Sequence, residues 1–334
     1  MKAVVLGSGA WGTALSLVLL HNDHDVTLWS RREEHVREMQ ITRRNPMLRD
    51  AVLPEKLQLT ADLACLRQAD IVVVATPSFA VRQTGELAAP YLKDSAVIVC
   101  VSKGVERNTN LRMSQILQKT TGNKCKVVAL SGPSHAEEVF RKLPTGCVAA
   151  CEDRAAARLV QDAFMSNHFR VYTSDDVVGV ELCGAVKNVI ALGCGVLDGM
   201  GFQDNTKALL MTRAMAEITR LGEKLGGSKA TFGGLAGMGD LIVTCTSMHS
   251  RNRRAGILIG QGKSVQEAME EVGAVVEGYY AAESIYQLAQ KQGVELPICQ
   301  CIYQGLYEGK RVQETVQELM SRAKKDELLE TVWL

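Results

Sequence analysis

One charged side chain is unusual because of its surroundings. Lys187 lies in the segment CGAVKNVIA at 183–191, inside a long apolar stretch over residues 177–197. On a helix its neighbours three and four residues away are mostly small, so they enclose the ammonium and leave room for a ligand. Because burying an unpaired ammonium is costly, this lysine needs an ionic partner or a lowered pKa. We predict an acid/base lysine; the alternative is a lysine held in a structural salt bridge.

Two later segments could supply partners for this lysine and for a substrate. Residues 233–240 read GGLAGMGD, a run too rich in glycine for a stable helix, and its Asp240 could orient or tune Lys187, or cap a helix. Residues 249–254 read HSRNRR, in which arginine matches phosphate geometry with two parallel bonds. That run could instead begin a solvated basic helix. On a chain of net charge +1, a local basic cluster favours a small phosphorylated substrate over nucleic acid.

Polar residues also follow two apolar runs in the first half of the chain. Lys103 comes directly after the run at 97–101 and is either a site residue or an exposed loop lysine. Ser134 and Glu137 have the spacing of a capping box, and the same helix start could present N–H groups to a ligand. We interpret His135 as a helix-surface residue.

The glycines of GSGAWG at 7–12 fit the pattern GxGxxG between an apolar run and an amphipathic helix. Gly7 permits a tight turn, Gly9 lets the backbone approach a pyrophosphate, and Gly12 allows close packing of helix on strand. The helix amino end offers unpaired N–H groups to the anion. This arrangement predicts a dinucleotide site.

The second apolar run ends at Trp29, and the residues that follow it indicate which dinucleotide the protein uses. NAD-selective sites usually place an acidic residue here, but this chain has Arg31 and Arg32. The two arginines either bind the 2′-phosphate of NADP or begin a solvated helix. We expect NADPH to be used at least as well as NADH.

The elements that must position these groups change in character along the chain. Through residue 176, short β-branched runs at 3–6, 26–29, 71–75, 96–101, 127–130 and 169–172 alternate with helical patterns. This alternation predicts an α/β Rossmann-type, doubly wound, mainly parallel sheet with a ligand crevice at the carboxyl ends of its strands. Helical periodicity then dominates, and only Leu241–Cys245 is ambiguous between strand and helix. We predict a dinucleotide-binding domain over 1–176, a mostly α-helical C-terminal domain over 177–334, and an active site between them.

Composition narrows the class of protein further. The 334 residues are 46% hydrophobic and 22% charged, which is typical of a globular protein. The net charge of +1 gives no global field to attract nucleic acid. The ten cysteines include no paired CxxC set, so we predict no metal site and reduced thiols that serve as core residues. Three glycines interrupt the apolar start, which argues against a signal peptide. We expect a cytoplasmic protein without stable membrane insertion, and a homodimer.

With these residues in view, the whole chain resembles the bacterial NAD(P)-dependent glycerol-3-phosphate dehydrogenases. The resemblance implies interconversion of glycerol 3-phosphate and dihydroxyacetone phosphate with NADP or NAD, which supplies glycerol 3-phosphate for glycerophospholipid synthesis. The matching motifs are GSGAWGTAL at 7–15, SKG at 102–104, SGPSHAEEV at 131–139, GVELCGAVKNVIAL at 179–192, GMGDLIVTCTS at 237–247, HSRN at 249–252 and VVEG at 275–278.

The resemblance also implies roles for individual residues. Lys187 is the expected catalytic acid/base, and Lys103 and Asp240 complete the catalytic set. The residues expected at the substrate are Lys103, Gly132, Ser134, Lys187, Asn188, Asp240, Thr244, Ser250, Arg251 and Asn252. Those expected at the cofactor are Gly7, Gly9, Ala10, Trp11, Gly12, Arg31, Arg32, Lys103, Ala136, Arg251, Val275 and Glu277. Ala10 stands where many relatives have serine, so only its backbone can make the contact.

Two alternative functions remain open. A related two-domain dehydrogenase of a β-hydroxyacid or a phosphosugar acid would act on a carboxylate, and a panel of substrates would distinguish it. A non-catalytic NAD(P)-sensing protein would need a DNA- or partner-binding module, and no helix-turn-helix flanked by basic residues is evident.

Overall fold

The computed structural model describes residues 1–324, 326 and 327, so the end of the predicted 177–334 domain lies outside the described residues. The strands are β1 (Lys2–Leu6), β2 (Asp25–Trp29), β3 (Arg44–Asn45), β4 (Leu48–Val52), β5 (Gln58–Thr60), β6 (Ile71–Val74), β7 (Val97–Cys100), β8 (Lys126–Ser131), β9 (Thr145–Ala150) and β10 (Phe169–Ser174). The helices before residue 177 are α1 (Ala10–His21), α2 (Glu33–Thr42), α3 (Val81–Ala88), α4 (Met113–Thr120), α5 (Ala136–Phe140) and α6 (Arg154–Phe164). Those after it are α7 (Val177–Gly199), α8 (Asp204–Lys224), α9 (Lys229–Phe232), α10 (Asp240–Thr246), α11 (Arg251–Gly260), α12 (Val265–Val272), α13 (Glu277–Gln292), α14 (Pro297–Tyr307) and α15 (Val312–Met320).

Eight strands form one sheet in the order β10-β9-β8-β7-β6-β1-β2-β5. All neighbouring strands pair parallel except β8 and β9, which are antiparallel. The predicted mainly parallel, doubly wound sheet is therefore confirmed, although β9 was not predicted and β9 and β10 run opposite to the other six strands. The carboxyl ends of β1, β2, β6, β7 and β8 consequently meet at one edge of the sheet.

The central strands are buried on both faces. Every residue of β6 and β7 is buried, as their near-continuous apolar sequences predict. Separate apolar clusters cover the two faces: one includes Leu15 and Leu19 of α1, the other Ile116 and Leu117 of α4. Helices on both faces hold the sheet rigid, so its carboxyl edge is a fixed platform for a site.

The helix α7 is the central element of the second half of the chain. Asp176 caps it by accepting a hydrogen bond of 2.7 Å from the Gly179 N–H, and all residues from Gly179 to Leu197 are buried. By length and composition α7 could cross a membrane, but 83% of its most apolar window is buried inside the protein. The apolar sequence around Lys187 therefore reflects a core helix, packed against α8, α10, α11 and α13.

Two helices cross at unusually close range. A Cβ atom at Gly195 of α7 would clash with the carbonyl oxygen of Arg253, and one at Gly256 of α11 would clash with that of Leu192. Gly199 and Gly260 make equivalent contacts one turn further along. This glycine crossing, formed by Gly195, Gly199, Gly256 and Gly260, brings the start of α11 beside the middle of α7.

In the second half, one expectation is wrong and one ambiguity is resolved. Residues Leu235–Gly239 form one π-helical turn despite their glycines, and this turn continues into α10. The ambiguous run Leu241–Cys245 lies within that helix and is not a strand. The cysteines behave as predicted: all ten are free, and only Cys65 is not fully buried.

Candidate active site

A buried carboxylate bridges two lysines at the carboxyl edge of the sheet. Lys187 Nζ lies 2.8 Å from Asp240 Oδ1, and Lys103 Nζ lies 2.6 Å from Asp240 Oδ2. Lys187 also donates a hydrogen bond of 2.7 Å to Thr244 Oγ1, and Lys103 donates one of 3.2 Å to the Gly132 carbonyl. The structure thus brings together five of the residues predicted for the site, and Lys187 has the ionic partner that its burial requires.

Burial and charge compete to set the protonation of this array. Lys187 is 7% exposed, and burial lowers its pKa to about 8 while Asp240 opposes that change. Asp240 is 1% exposed; burial raises its pKa, but the two ammonium groups outweigh burial and hold it below its ordinary value. Lys187 therefore has both an ionic partner and a lowered pKa, of which its burial was predicted to require at least one. Among the residues that the structure describes, no group of three or more His, Cys, Asp or Glu could hold a metal ion.

Local structure explains how three distant segments converge. The π-helical turn at Leu235–Gly239 leads directly into α10, so Asp240 and Thr244 lie one turn apart and both reach Lys187. The Thr244 hydroxyl donates to the Asp240 carbonyl at 2.6 Å. On α7, a Cβ at Gly184 would lie 3.3 Å from Lys103 Cγ, so the small residue leaves a path for the Lys103 side chain. The space that the small neighbours of Lys187 were predicted to leave for a ligand is therefore partly occupied by the Lys103 side chain.

The turn after β8 presents a carbonyl to the site. Gly132 has a φ of +155°, and a Cβ there would lie 2.7 Å from the Gly146 carbonyl oxygen. Its own carbonyl accepts hydrogen bonds from Lys103 and, at 2.9 Å, from Ser134 Oγ. The capping box predicted for Ser134 and Glu137 is wrong, because the Ser134 hydroxyl turns back to Gly132.

His135 is the N-cap of α5, without a side-chain capping bond. It is half-buried, with Nε2 3.5 Å from the Val243 carbonyl and its ring centroid 5.8 Å from that of His249. Burial, aided by the charge of Lys187, lowers the pKa of His135. The prediction of a helix-surface histidine is therefore wrong: His135 borders the lysine site.

The start of α11 is tied to α7 and α13 by two asparagines. Asn252 Nδ2 donates to Asn188 Oδ1 at 2.9 Å, and Asn252 Oδ1 accepts from the Gly278 N–H at 2.8 Å. Ser250 caps α11 by accepting from the Arg253 N–H at 3.2 Å. Arg251 is exposed beside this network and forms no hydrogen bond or ion pair with the described residues. Within the predicted basic cluster, Arg253 pairs with Asp198, whereas Arg251 and Arg254 have no side-chain partner among the described residues.

The glycine turn after β1 has the geometry expected of a dinucleotide cradle. A Cβ at Gly7, which has a φ of +118°, would lie 2.8 Å from the Ala75 carbonyl oxygen, and one at Gly12 would clash with the Gly7 carbonyl oxygen. At Gly9 a Cβ would meet no atom within 4 Å, so that position faces open space. No side chain caps α1 at Gly9, which leaves the N–H groups of Ala10 and Trp11 available to an anion. These residues fit a dinucleotide pyrophosphate.

Asn45 stabilises the glycine turn and was missed by the sequence analysis. Its buried Nδ2 donates to the Ser8 carbonyl at 2.9 Å and to Thr13 Oγ1 at 2.6 Å. A single asparagine in a polar loop gives no sequence signal for such a role. Nearby, Arg31 and Arg32 are exposed after β2, and Arg32 immediately precedes α2. Cations at a helix amino end are unfavourable for the helix itself, which favours a role in anion binding.

The remaining predicted cofactor residues also lie near this edge. Glu277, the first residue of α13, accepts hydrogen bonds from the N–H (3.0 Å) and the hydroxyl of Ser78, in the loop after β6. Burial raises the pKa of Glu277, and Ser78 and Arg251 oppose that change. Val275 precedes this contact, and Ala136 begins α5. The first turn of α13 is thus joined to the sheet edge.

A second buried carboxylate fixes α7 to the sheet half. Glu181 accepts hydrogen bonds from the Ser114 N–H at 2.7 Å and the Ser114 hydroxyl at 2.6 Å, and forms an ion pair with Arg112. These donors belong to the start of α4. The sequence analysis assigned Glu181 no role.

Comparison with known proteins agrees with this geometry. Residues 2–157 match the family model described as NAD-dependent glycerol-3-phosphate dehydrogenase N-terminus, and residues 176–317 match that described as the C-terminus. Among curated proteins, the chain is 51% identical to the glycerol-3-phosphate dehydrogenase [NAD(P)+] of Thermoanaerobacter sp. (strain X514), over 98% of this chain and 99% of that protein. It is 49% identical to the protein of the same name from Clostridium perfringens (strain 13 / Type A), with the same coverage. A crystal structure of glycerol-3-phosphate dehydrogenase from Coxiella burnetii is similar with a TM-score of 0.91 and 36% identity, covering 96% of this chain and 99% of that one.

Proposed function

Since this chain belongs to the NAD-dependent glycerol-3-phosphate dehydrogenase family, we infer that it interconverts glycerol 3-phosphate and dihydroxyacetone phosphate with NADP or NAD. The observation that supports a catalytic role within the chain is the buried array of Lys187, Asp240 and Lys103 at the sheet edge. A ketone and an alcohol differ by a hydride and a proton, so the protein must supply a group that exchanges a proton at the substrate oxygen.

We assign that proton to Lys187 Nζ. With a pKa of about 8, the amine is protonated enough near neutral pH to donate to the carbonyl oxygen in reduction, and neutral enough above it to accept the hydroxyl proton in oxidation. Asp240 and Thr244 each accept a hydrogen bond from this nitrogen, which fixes its direction and leaves one N–H for the substrate. Lys103, held by Asp240 and Gly132, would stabilise negative charge developing on the same oxygen.

Arg251 is the residue we propose for the substrate phosphate. It is exposed, and the crossing of α7 and α11 fixes its backbone relative to Asn188. A guanidinium without a protein partner can give two parallel bonds to a phosphate. The Asn252 side chain already donates to Asn188 and accepts from the Gly278 N–H, so its main role is to position the first turn of α11.

The open cradle at Gly9 and the free N–H groups of α1 are the groups we propose for the cofactor pyrophosphate, with Arg31 and Arg32 at the 2′-phosphate of NADP. When bound, the nicotinamide supplies or accepts the hydride. We also propose that residues 1–176 and 177–334 are separate domains, and that the protein is a cytoplasmic homodimer that supplies glycerol 3-phosphate for phospholipid synthesis.

The function is tested by following absorbance at 340 nm with dihydroxyacetone phosphate and either NADPH or NADH. We expect turnover with this ketone, and none with β-hydroxyacids or phosphosugar acids. Turnover with a carboxylate substrate and not with dihydroxyacetone phosphate would contradict the proposal.

Replacement of the lysine tests the assignment of the acid/base group. Lys187→Ala should lower turnover by at least about 10²–10⁴-fold, the usual contribution of a positioned acid/base group. Asp240 keeps Lys103 as its partner, so the site is not left with an unpaired carboxylate. NADPH binding, measured by fluorescence titration, should survive, and the exposed control Lys291→Ala should match the unmodified protein. Near-normal turnover of Lys187→Ala would show that another group transfers the proton.

A further inference from the structure

A large cavity lies apart from the lysine site, between α7, α8, α14 and α15. Its volume is about 610 Å³, within the roughly 300–1,000 Å³ typical of small-molecule sites. Its walls are mainly aliphatic and include Leu192, Val196, Leu210, Ile298 and Val316. None of the residues of the Lys187 site or the glycine cradle lines it, so the function proposed above does not explain it.

Among the charged side chains that line this cavity, one cation has neither a hydrogen bond nor an ion pair with the described residues. Glu217 accepts hydrogen bonds from two backbone N–H groups at the start of α14. Arg220 donates to the backbone carbonyl of Glu295, and Arg322 donates to its carboxylate. Arg213 also lines the cavity but forms no hydrogen bond or ion pair with residues 1–324, 326 or 327. An apolar cavity with the Arg213 guanidinium at its wall is complementary to a ligand that has both an apolar chain and a negatively charged group.

We propose that this cavity binds an amphiphilic anion, with an alkyl chain in the lumen and a carboxylate or phosphate head at Arg213. Burial of the chain against aliphatic walls provides affinity. The guanidinium gives a planar head group two parallel hydrogen bonds and disfavours a cationic head. Because α7 lines the cavity and also carries Lys187, the ligand would contact the helix that holds the acid/base group.

The proposal is tested by isothermal titration calorimetry of the full chain with octanoate, decanoate and decyl phosphate, each below its critical micelle concentration. We expect saturable binding of one molecule per chain, strengthened roughly tenfold for each two-carbon extension. Decyltrimethylammonium, which has the same chain and a cationic head, should bind at least about tenfold more weakly than decanoate. Comparison of decanoate with decyl phosphate identifies the preferred head group.

Two variants separate the head-group site from the lumen. Arg213→Gln should weaken decanoate binding about tenfold or more, whereas Lys224→Gln, an exposed residue on the same helix, should not change it. Val316→Trp should abolish binding because the indole fills the lumen. Light scattering would report the molar mass of each variant, and the 340 nm assay would confirm that each is folded.

Absence of saturable decanoate binding to the unmodified protein would overturn the proposal, as would equal binding of the cationic amphiphile. A loss of molar mass in Arg213→Gln and Val316→Trp, without any decanoate binding to the unmodified protein, would assign this surface to a second copy of the chain instead.

Discussion

The carboxylate shared by two lysines allows the acid/base assignment to be tested without removing Lys187. Asp240→Asn keeps the shape of the side chain and removes the negative charge between Lys187 Nζ at 2.8 Å and Lys103 Nζ at 2.6 Å. Unit charges 4 Å apart interact by about 4 kcal/mol at an effective dielectric constant of 20, and a nearby opposite charge shifts a pKa by about 1–3 pH units. Since Asp240 raises the pKa of Lys187, its loss should lower that pKa from about 8 by roughly 1–3 pH units.

The pH dependence of kcat/KM in both directions measures this change. Reduction needs protonated Lys187, so kcat/KM for reduction should be highest below the pKa of Lys187 and should fall as pH rises through that pKa. Oxidation needs neutral Lys187, so kcat/KM for oxidation should show the opposite dependence. In the unmodified protein both transitions should fall near pH 8, and in Asp240→Asn they should lie roughly 1–3 pH units lower. Thr244→Val is the control, because it removes a neutral hydrogen-bond partner and should move the transition much less. A transition that stays near pH 8 in Asp240→Asn, or moves upward, would refute the electrostatic reasoning.

The same variant should lose stability in a pH-dependent way. Removal of one partner from a buried ion pair costs roughly 3–5 kcal/mol of the free energy of unfolding, because a buried charge is left uncompensated. In folded Asp240→Asn the pKa of Lys187 should lie roughly 1–3 pH units below its value of about 8 in the unmodified protein. Between these two pKa values the folded variant has released a proton that its unfolded chain still binds, so the stability of the variant rises with pH while that of the unmodified protein does not. Urea denaturation at pH 7 and pH 9 should therefore show a smaller loss of stability in Asp240→Asn at pH 9.

Three further predictions concern the groups around the lysine array. Arg251→Ala should mainly raise the KM for dihydroxyacetone phosphate and weaken discrimination against unphosphorylated dihydroxyacetone; unchanged discrimination would contradict its role. Gly256→Ala should cost about 1–3 kcal/mol in urea denaturation because its methyl group separates two helices, whereas Gly305→Ala, where a Cβ has room, should be neutral or stabilising. Arg31→Ala combined with Arg32→Ala should raise the KM for NADPH and leave that for NADH almost unchanged; an equal rise for both would assign the arginines to a solvated helix start.

The parts of the fold that could be predicted are those with strong local patterns. The alternation of apolar runs and helical segments predicted the sheet, and the spacing of Gly7, Gly9 and Gly12 predicted the cradle. Lys187 was recognisable because a single charge among small apolar residues conflicts with ordinary burial. In contrast, β9 (sequence TGCVAA) has too few large branched residues to indicate a strand, and nothing local indicates its reversed direction.

The contacts that could not be predicted join residues far apart in the chain. Asn188 and Asn252 are 64 positions apart, and Asn45 is 37 positions from Ser8. The helix α11 was considered only as an alternative for the basic run at 249–254, and Gly256 and Gly260 lower its intrinsic helix propensity. Only their contact with Gly195 and Gly199 explains why glycine is needed there, and that contact depends on tertiary structure.

The glycine crossing has a mechanical consequence. Where two backbones touch, no side chain can rotate to absorb a displacement, so α7 and α11 should move as a single stiff lever. Substitutions at the exposed positions of the first turn of α11, Arg251 and Arg254, would then change the side chains available to a substrate without moving the helix. This turn is accordingly the part of the chain where new substrate preferences could be engineered with the least disturbance to the framework.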